Sequence, residues 1–180
     1  MIEYIERAID LVRERNQYKT PNLLTAEIQD ALILNESQAI DTAKKICKVL
    51  TFWVEGFSKD LIDMDFTEFY KHCIDQKYIV QDSKGLYVWM ALSFEDMAEK
   101  FDIEVNTIDN FRAFTKYKNK DEFLGVIRIK SASGGKHSII TYRNSGNKLK
   151  ISDTYRRGID VNFFDYITED NFLYFNEMEL

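Results

Sequence analysis

The chain of 180 residues is 45% hydrophobic and 30% charged, and its formal net charge is −6. This length fits one domain that buries a sizeable hydrophobic core. Abundant Phe and Tyr, with only seven Gly and one Pro, exclude a disordered or low-complexity protein. Cys47 and Cys73 are too few for a disulfide framework, and no window approaches the roughly 18 to 20 apolar residues of a membrane span. We therefore expect a cytoplasmic protein with reduced thiols and no contact with a membrane.

Helical periodicity and capping signals dominate the first part of the chain. They predict helices over 2–16, from Thr20-Pro21 onward, over 35–56, over 65–76 and after Ser93, with a short extended segment over 86–89. The helix over 35–56 opens with a capping-box pattern at Asn35 and Gln38 and continues with the most apolar run of the chain. It is therefore predicted to be the central, buried helix.

After residue 120 the pattern becomes extended, with five of the seven glycines. It predicts strands over 123–130, 138–143, 148–152 and 172–175, with turns at 133–135 and 144–147. Helices followed by antiparallel strands predict an α+β fold in which N-terminal helices pack on a C-terminal antiparallel sheet. We expect a single domain over 1–180, composed of an N-terminal helical extension (1–24), a helical half (25–115) and a β-sheet half (116–180).

Charge is segregated along the chain. Residues 116–150 hold nine Lys or Arg against two Asp or Glu, whereas residues 151–180 hold two against seven. Such asymmetry can mark a surface for an oppositely charged partner, or simply a solvated face. The sequence pI of about 5.1 argues against nucleic acid as a partner.

His137 and Asp153 are the pair of residues whose positions suggest chemistry. His137 follows a Gly-Gly turn at the start of one strand, and Asp153 ends the next strand of the same hairpin. This register places the two side chains near one another, and an Asp that orients an imidazole leaves its other nitrogen free to move a proton. Read from spacing alone, the same residues also fit a loop histidine and a turn-initiating aspartate.

The stretch from Leu124 to Asp153, with strand, Gly-Gly-Lys-His, strand, hairpin and terminal Asp, resembles the C-terminal half of papain-like cysteine peptidases of the double-glycine leader-peptidase type. The resemblance covers roughly 25–176 and is strongest to relatives encoded by phages and plasmids. It implies a papain-like fold in which His137 is the general base and Asp153 orients it. Peptide or protein is the substrate or partner implied, and no cofactor or metal is expected.

The sequence departs from this family at the nucleophile. Cys47 is the cysteine available on the central helix, but the family places its cysteine in the first turn, usually beside Gly. A helix that starts at Asn35 puts Cys47 three turns inside it, and one that starts near Asp41 still puts it in the second turn. Gln29 and Gln38 lie at the wrong distance to serve as the glutamine of the family's oxyanion hole. We therefore expect a catalytically degenerate site.

Three functions follow as hypotheses. The first is a papain-like protein of phage or mobile-element type, which would be a cysteine peptidase or other amide hydrolase if Cys47 is the nucleophile. The second is a non-catalytic inhibitor that binds a nucleic-acid-binding defence protein of a host. The third is a helix-turn-helix DNA reader over 26–46, against which the acidic Glu36 and Asp41 argue. The sequence does not predict an oligomeric state.

Overall fold

The computed structural model describes residues 3–119, 121–144, 146 and 148–180. Its helices are α1 (Glu3–Arg13), α2 (Leu23–Ala31), α3 (Glu36–Ala43), α4 (Cys47–Ser58), α5 (Phe66–Asp75), α6 (Phe94–Glu99) and α7 (Phe111–Thr115). Its strands are β1 (Ile79–Gln81), β2 (Tyr87–Met90), β3 (Val105–Ile108), β4 (Phe123–Lys130), β5 (Lys136–Arg143), β6 (Leu149–Ser152), β7 (Val161–Asn162) and β8 (Phe172–Met178). Ile2 of the predicted first helix and Ser145 and Asn147 of the predicted hairpin turn lie outside the described residues.

The architecture is α+β, as the sequence predicts. Six strands form one antiparallel sheet in the order β3-β8-β4-β5-β6-β7, and β1 pairs with β2 in a separate small hairpin. The long strands β4 and β5 pair in full register, from Phe123 opposite Arg143 to Lys130 opposite Lys136. None of the helices in the described ranges is both long and apolar enough to span a membrane.

The central strands are buried on both faces, because their side chains alternate between two apolar cores. Leu124 and Val126 of β4 join the core formed with the helices, whereas Phe123, Ile127 and Ile129 pack in a second core on the opposite face. The second core is rich in phenylalanine and is closed by α7 and the segment before β8. The sheet is therefore the middle layer of the molecule.

Helix α4 lies against β4 and β5, and most of its residues are buried. Lys59 bonds the C-terminal end of this helix to the sheet. Its ammonium donates to the Glu55 carboxylate at 2.6 Å and to the carbonyl oxygens of Leu124 and Met178 at 2.8 Å each. Burial raises the pKa of the Glu55 carboxyl against the opposing effect of Lys59. This fully buried pair joins the C-terminal end of α4 to β4 and β8.

The prediction of one continuous third helix is wrong. The chain forms α3 and α4 as separate helices, because the backbone leaves helical geometry at Ile46, with φ −102° and ψ 25°. Ile46 is completely buried, so core packing redirects the chain at this point although its local sequence favours a helix. The second helix also begins later than predicted, at Leu23, where Asn22 and Thr25 form the capping box.

Candidate functional site

Cys47 is the first residue of α4. The prediction that it lies inside a helix is therefore wrong, and the reason is the break at Ile46. A helix N-terminus carries partial positive charge and unpaired backbone N–H groups, both of which favour a thiolate. The half-buried Cys47 side chain thus occupies the position on the central helix that a nucleophilic cysteine requires.

His137 is the second residue of β5, and Asp153 follows β6 directly. The Nε2 atom of His137 lies 2.7 Å from Oδ1 of Asp153. Both residues are buried, and the hairpin brings them together as their spacing predicts. Because Nε2 is taken by the carboxylate, Nδ1 is the imidazole nitrogen left for Cys47.

Asp153 is held by a set of donors that keep its carboxylate ionised. Oδ1 accepts from the Tyr155 backbone N–H at 3.0 Å, and Oδ2 accepts from the Arg157 guanidinium at 3.1 Å. Burial opposes ionisation, but the hydrogen bonds from His137 and Arg157 outweigh it and lower the pKa of Asp153. A buried carboxylate fixed in this way can orient the imidazole and stabilise its protonated form.

Cys47 and His137 shift one another's pKa in opposite directions. Burial alone would raise the pKa of the Cys47 thiol, but the hydrogen bond from His137 and its charge lower it to about 7. Burial would lower the pKa of His137, but the hydrogen bonds to Asp153 and Cys47 raise it to about 9. These opposite shifts favour a thiolate paired with an imidazolium, which is the reactive form of a cysteine nucleophile.

Two further donors face the sulfur. The Ser138 backbone and the charge of Arg128 both lower the pKa of the Cys47 thiol. Arg128 reaches from β4, with Nη1 3.9 Å from the Cys47 Sγ and 2.7 Å from the Ser138 hydroxyl. The sulfur is therefore surrounded by groups that stabilise negative charge.

Gln17 is a residue of the site that sequence reasoning missed. It lines the same cavity as Cys47 and His137, whereas Gln29 and Gln38 are exposed on α2 and α3. Its Nε2 donates to the Ala43 carbonyl at 2.7 Å, which engages one of its two amide protons. Thirty residues separate Gln17 from Cys47, so no local spacing in the sequence indicates their proximity.

The cavity beside the catalytic candidates is open to solvent and has a volume of about 380 Å³. Its walls come from the segment after α1, from the start of α4, from the exposed Trp89 of β2, and from the turn between β4 and β5. Gly134 in that turn has φ +88°, a conformation that glycine adopts without strain. A Cβ at Gly134 would meet nothing within 4 Å, so the glycine serves the backbone conformation of the turn and not a close approach.

Within the described ranges, no three His, Cys, Asp or Glu side chains are grouped as a metal site requires. Cys73 lies apart from the site in the apolar stripe of α5, where burial raises the pKa of its thiol to about 12. Comparison with known proteins gave no match to a family model, to a curated protein or to a solved structure. The interpretation of this site therefore rests on its geometry and chemistry.

Proposed function

We propose that the protein is a cysteine-dependent hydrolase of amide or thioester bonds, with a papain-like arrangement of Cys47, His137 and Asp153. One observation carries the proposal: Cys47 begins the central helix and lines the same cavity as His137, whose imidazole lies 2.7 Å from Asp153 and whose charge lowers the pKa of the Cys47 thiol. The break before α4 removes one reason for expecting a degenerate site, namely that Cys47 would lie inside a helix. The motifs within 25–176 that resemble the double-glycine leader peptidases support the roles of His137 and Asp153.

In the first half of the reaction, the Cys47 thiolate attacks the carbonyl carbon of the substrate and forms a tetrahedral oxyanion. As the carbon–nitrogen or carbon–sulfur bond breaks, the His137 imidazolium gives its proton to the leaving amine or thiolate. The products of this half are a free amine or thiol, a thioester on Cys47 and a neutral imidazole. Asp153 keeps the ring oriented while its charge changes.

In the second half, neutral His137 takes a proton from water, and the resulting hydroxide attacks the thioester carbon. The carbon–sulfur bond then breaks, which releases a carboxylic acid and restores the thiolate and the imidazolium. The oxyanion of both halves requires hydrogen-bond donors near the sulfur. The Cys47 backbone N–H at the start of α4 and the second Nε2 proton of Gln17 are the donors we assign to it.

The test is turnover of an activated acyl substrate, such as a p-nitrophenyl ester or a small thioester, at neutral pH. We expect a burst of leaving group equal to the enzyme concentration, an acyl adduct on Cys47 detected by mass spectrometry, and continued turnover as the adduct hydrolyses. Cys47→Ala should abolish burst and turnover. Cys73→Ala is the matched control, because it removes the other thiol and should leave both unchanged.

His137→Gln separates catalysis from mere acylation of an exposed thiol. We expect slower formation of the adduct and no measurable hydrolysis of it, because the variant lacks the base that activates water. Equal acylation and hydrolysis in wild type and His137→Gln would contradict the proposal. Circular dichroism of each variant verifies that the fold is retained.

The inhibitor and the DNA-reader hypotheses remain predictions. The inhibitor hypothesis drew on the absence of Gly beside Cys47 together with the segregation of charge. The start of α4 supplies helix N–H groups without a glycine, which answers only the first of these two grounds. The region of the predicted DNA reader forms α2 and α3, with Glu36 and Asp41 exposed on α3. Failure of turnover together with recovery of a stoichiometric protein partner would favour the inhibitor over the hydrolase.

A further inference from the structure

A second cavity adjoins Cys47 on the side of Arg128, with a volume of about 320 Å³. Four of its lining side chains are cations, namely Lys45, Lys48, Arg128 and Lys136. They come from the turn before α4, from the start of α4, and from the facing ends of β4 and β5. A protein with a net charge of −6 therefore concentrates positive charge next to its candidate nucleophile.

Three of these cations have no carboxylate within ion-pair distance among the residues that the structure describes: Lys48, Arg128 and Lys136. Two neighbouring cations differ, since Lys45 pairs with Asp82 and Arg157 pairs with Asp153, each at 3.1 Å. The positive charge on the Arg128 side is thus available to a ligand.

Lys48, Arg128 and Lys136 repel one another at this point. Burial lowers the pKa of Lys48, and the charges of Arg128 and Lys136 lower it further. The charges of Glu95 and Cys47 act in the opposite direction, but no ion pair joins Glu95 to Lys48 among the described residues. An anion bound between the three cations would relieve their repulsion.

Trp89 gives the cavity an apolar wall. Trp89 is 65% exposed, although tryptophan, as a large residue, usually buries most of its surface. It lines both cavities beside Cys47, as do Lys45, Val88 and Lys136, so the two cavities form one cleft across the nucleophile. A cleft of this kind suits an extended chain that lies across Cys47, with one side chain on the Arg128 side.

We propose that Lys48, Arg128, Lys136 and Trp89 form a subsite for an acidic side chain of a peptide substrate, next to the bond that Cys47 attacks. The cations bind the carboxylate, and the indole covers the aliphatic part of the same side chain. This assignment rests on the proposed hydrolase function, because the bound peptide is a substrate only if Cys47 attacks it. It is tested by binding as well as by reactivity, so that the two proposals can fail separately.

The binding experiment uses the full chain with Cys47→Ser and follows the fluorescence of Trp89, since the other tryptophan, Trp53, is only 1% exposed. Two end-capped peptides of the same sequence are titrated, one with a single Glu and one with Gln in its place. We expect the Glu peptide to perturb the emission and to bind roughly tenfold more tightly, with a difference that falls as salt is added. Equal binding of the two peptides would overturn the subsite.

Variants identify the location of the effect. Lys48→Gln should remove most of the preference for Glu, whereas Lys71→Gln, at an exposed position of α5, makes the same change of charge elsewhere and should leave it intact. The signal itself should disappear in Trp89→Phe. Retention of the full preference in Lys48→Gln would overturn the assignment to this cavity.

The reactivity experiment compares alkylation of Cys47 by iodoacetate and by iodoacetamide in the wild type. Both reagents consume the same thiolate, so their rate ratio reports the local charge and not the thiol pKa. We expect the ratio to exceed that of glutathione by roughly tenfold and to fall in Lys48→Gln but not in Lys71→Gln. A Glu preference without acyl turnover would support the subsite and contradict the hydrolase, whereas turnover with no preference for Glu or iodoacetate would contradict the subsite alone.

Discussion

Replacement of His137 by Gln should move the pH profile of Cys47 reactivity toward alkaline pH. Glutamine cannot be protonated, so it removes the charge and the main hydrogen bond that lower the pKa of the thiol, while burial continues to raise it. The pKa should therefore rise from about 7 to at least the ordinary value of 9.0. Half of the thiol is ionised at pH 7 in the wild type, against about 1% in the variant, a difference of about 50-fold.

The expected change in rate is smaller than the change in ionisation. A thiolate of higher pKa is intrinsically more nucleophilic, with a Brønsted coefficient of about 0.4 to 0.5 in thiol exchange. A rise of about two units in the thiol pKa therefore increases the rate constant of the thiolate itself roughly 6 to 10-fold. The net loss of rate at pH 7 should then be about 5 to 8-fold. At high pH the order reverses, and the variant should react faster than the wild type.

The assay is the rate of mixed-disulfide formation with the neutral reagent 2-hydroxyethyl disulfide, followed by mass spectrometry between about pH 5 and pH 10. A Cys73→Ala background leaves a single thiol to be measured. Asp153→Asn in the same background should shift the midpoint in the same direction by less, because loss of the carboxylate lowers the pKa of His137 and so weakens the imidazolium that stabilises the thiolate. A midpoint that remains near pH 7 in His137→Gln would refute the electrostatic account of the site.

Three other substitutions test the packing that supports the site. Lys59→Met should lower the free energy of unfolding by about 3 to 5 kcal/mol, because it leaves Glu55 buried without its partner, and adding Glu55→Leu should recover part of this loss in urea denaturation. A larger loss in the double variant would contradict that reasoning. Gly125→Val should lower the free energy of unfolding by at least about 1 to 3 kcal/mol, since even a Cβ would lie 2.6 Å from the Asn176 carbonyl oxygen. An unchanged midpoint of thermal unfolding would show that β8 moves away at this point without cost. Cys73 should resist the disulfide reagent in native Cys47→Ala below about pH 9, because its pKa of about 12 keeps it protonated, and rapid labelling would mean that α5 opens.

The hairpin that carries His137 and Asp153 illustrates what local sequence can predict. Strand alternation and the turn signals between 130 and 153 indicate two adjacent antiparallel strands, and their register alone brings the two residues to one end. The 2.7 Å contact between them follows from this local pairing. No distant part of the chain is needed to form it.

Cys47 illustrates the opposite case. The residues before it favour a helix, and only the packing of Ile46 into the core separates α3 from α4. The position of Gln17 likewise depends on contacts across the fold, where its backbone and side chain bond to Thr154 and its amide bonds to Ala43. These contacts join parts of the chain that are up to 137 residues apart, and the side-chain periodicity of the sequence does not predict them.

By itself the sequence determined the α+β order of helices and strands, the apolar stripes, and the pairing of His137 with Asp153, because these depend on side-chain period and on neighbours along the chain. The tertiary structure decided that Cys47 starts a helix, that it faces His137, and that unpaired cations gather beside it. Helix starts and charge clusters of this kind depend on which surfaces pack together, and the free energy of the whole fold determines that packing.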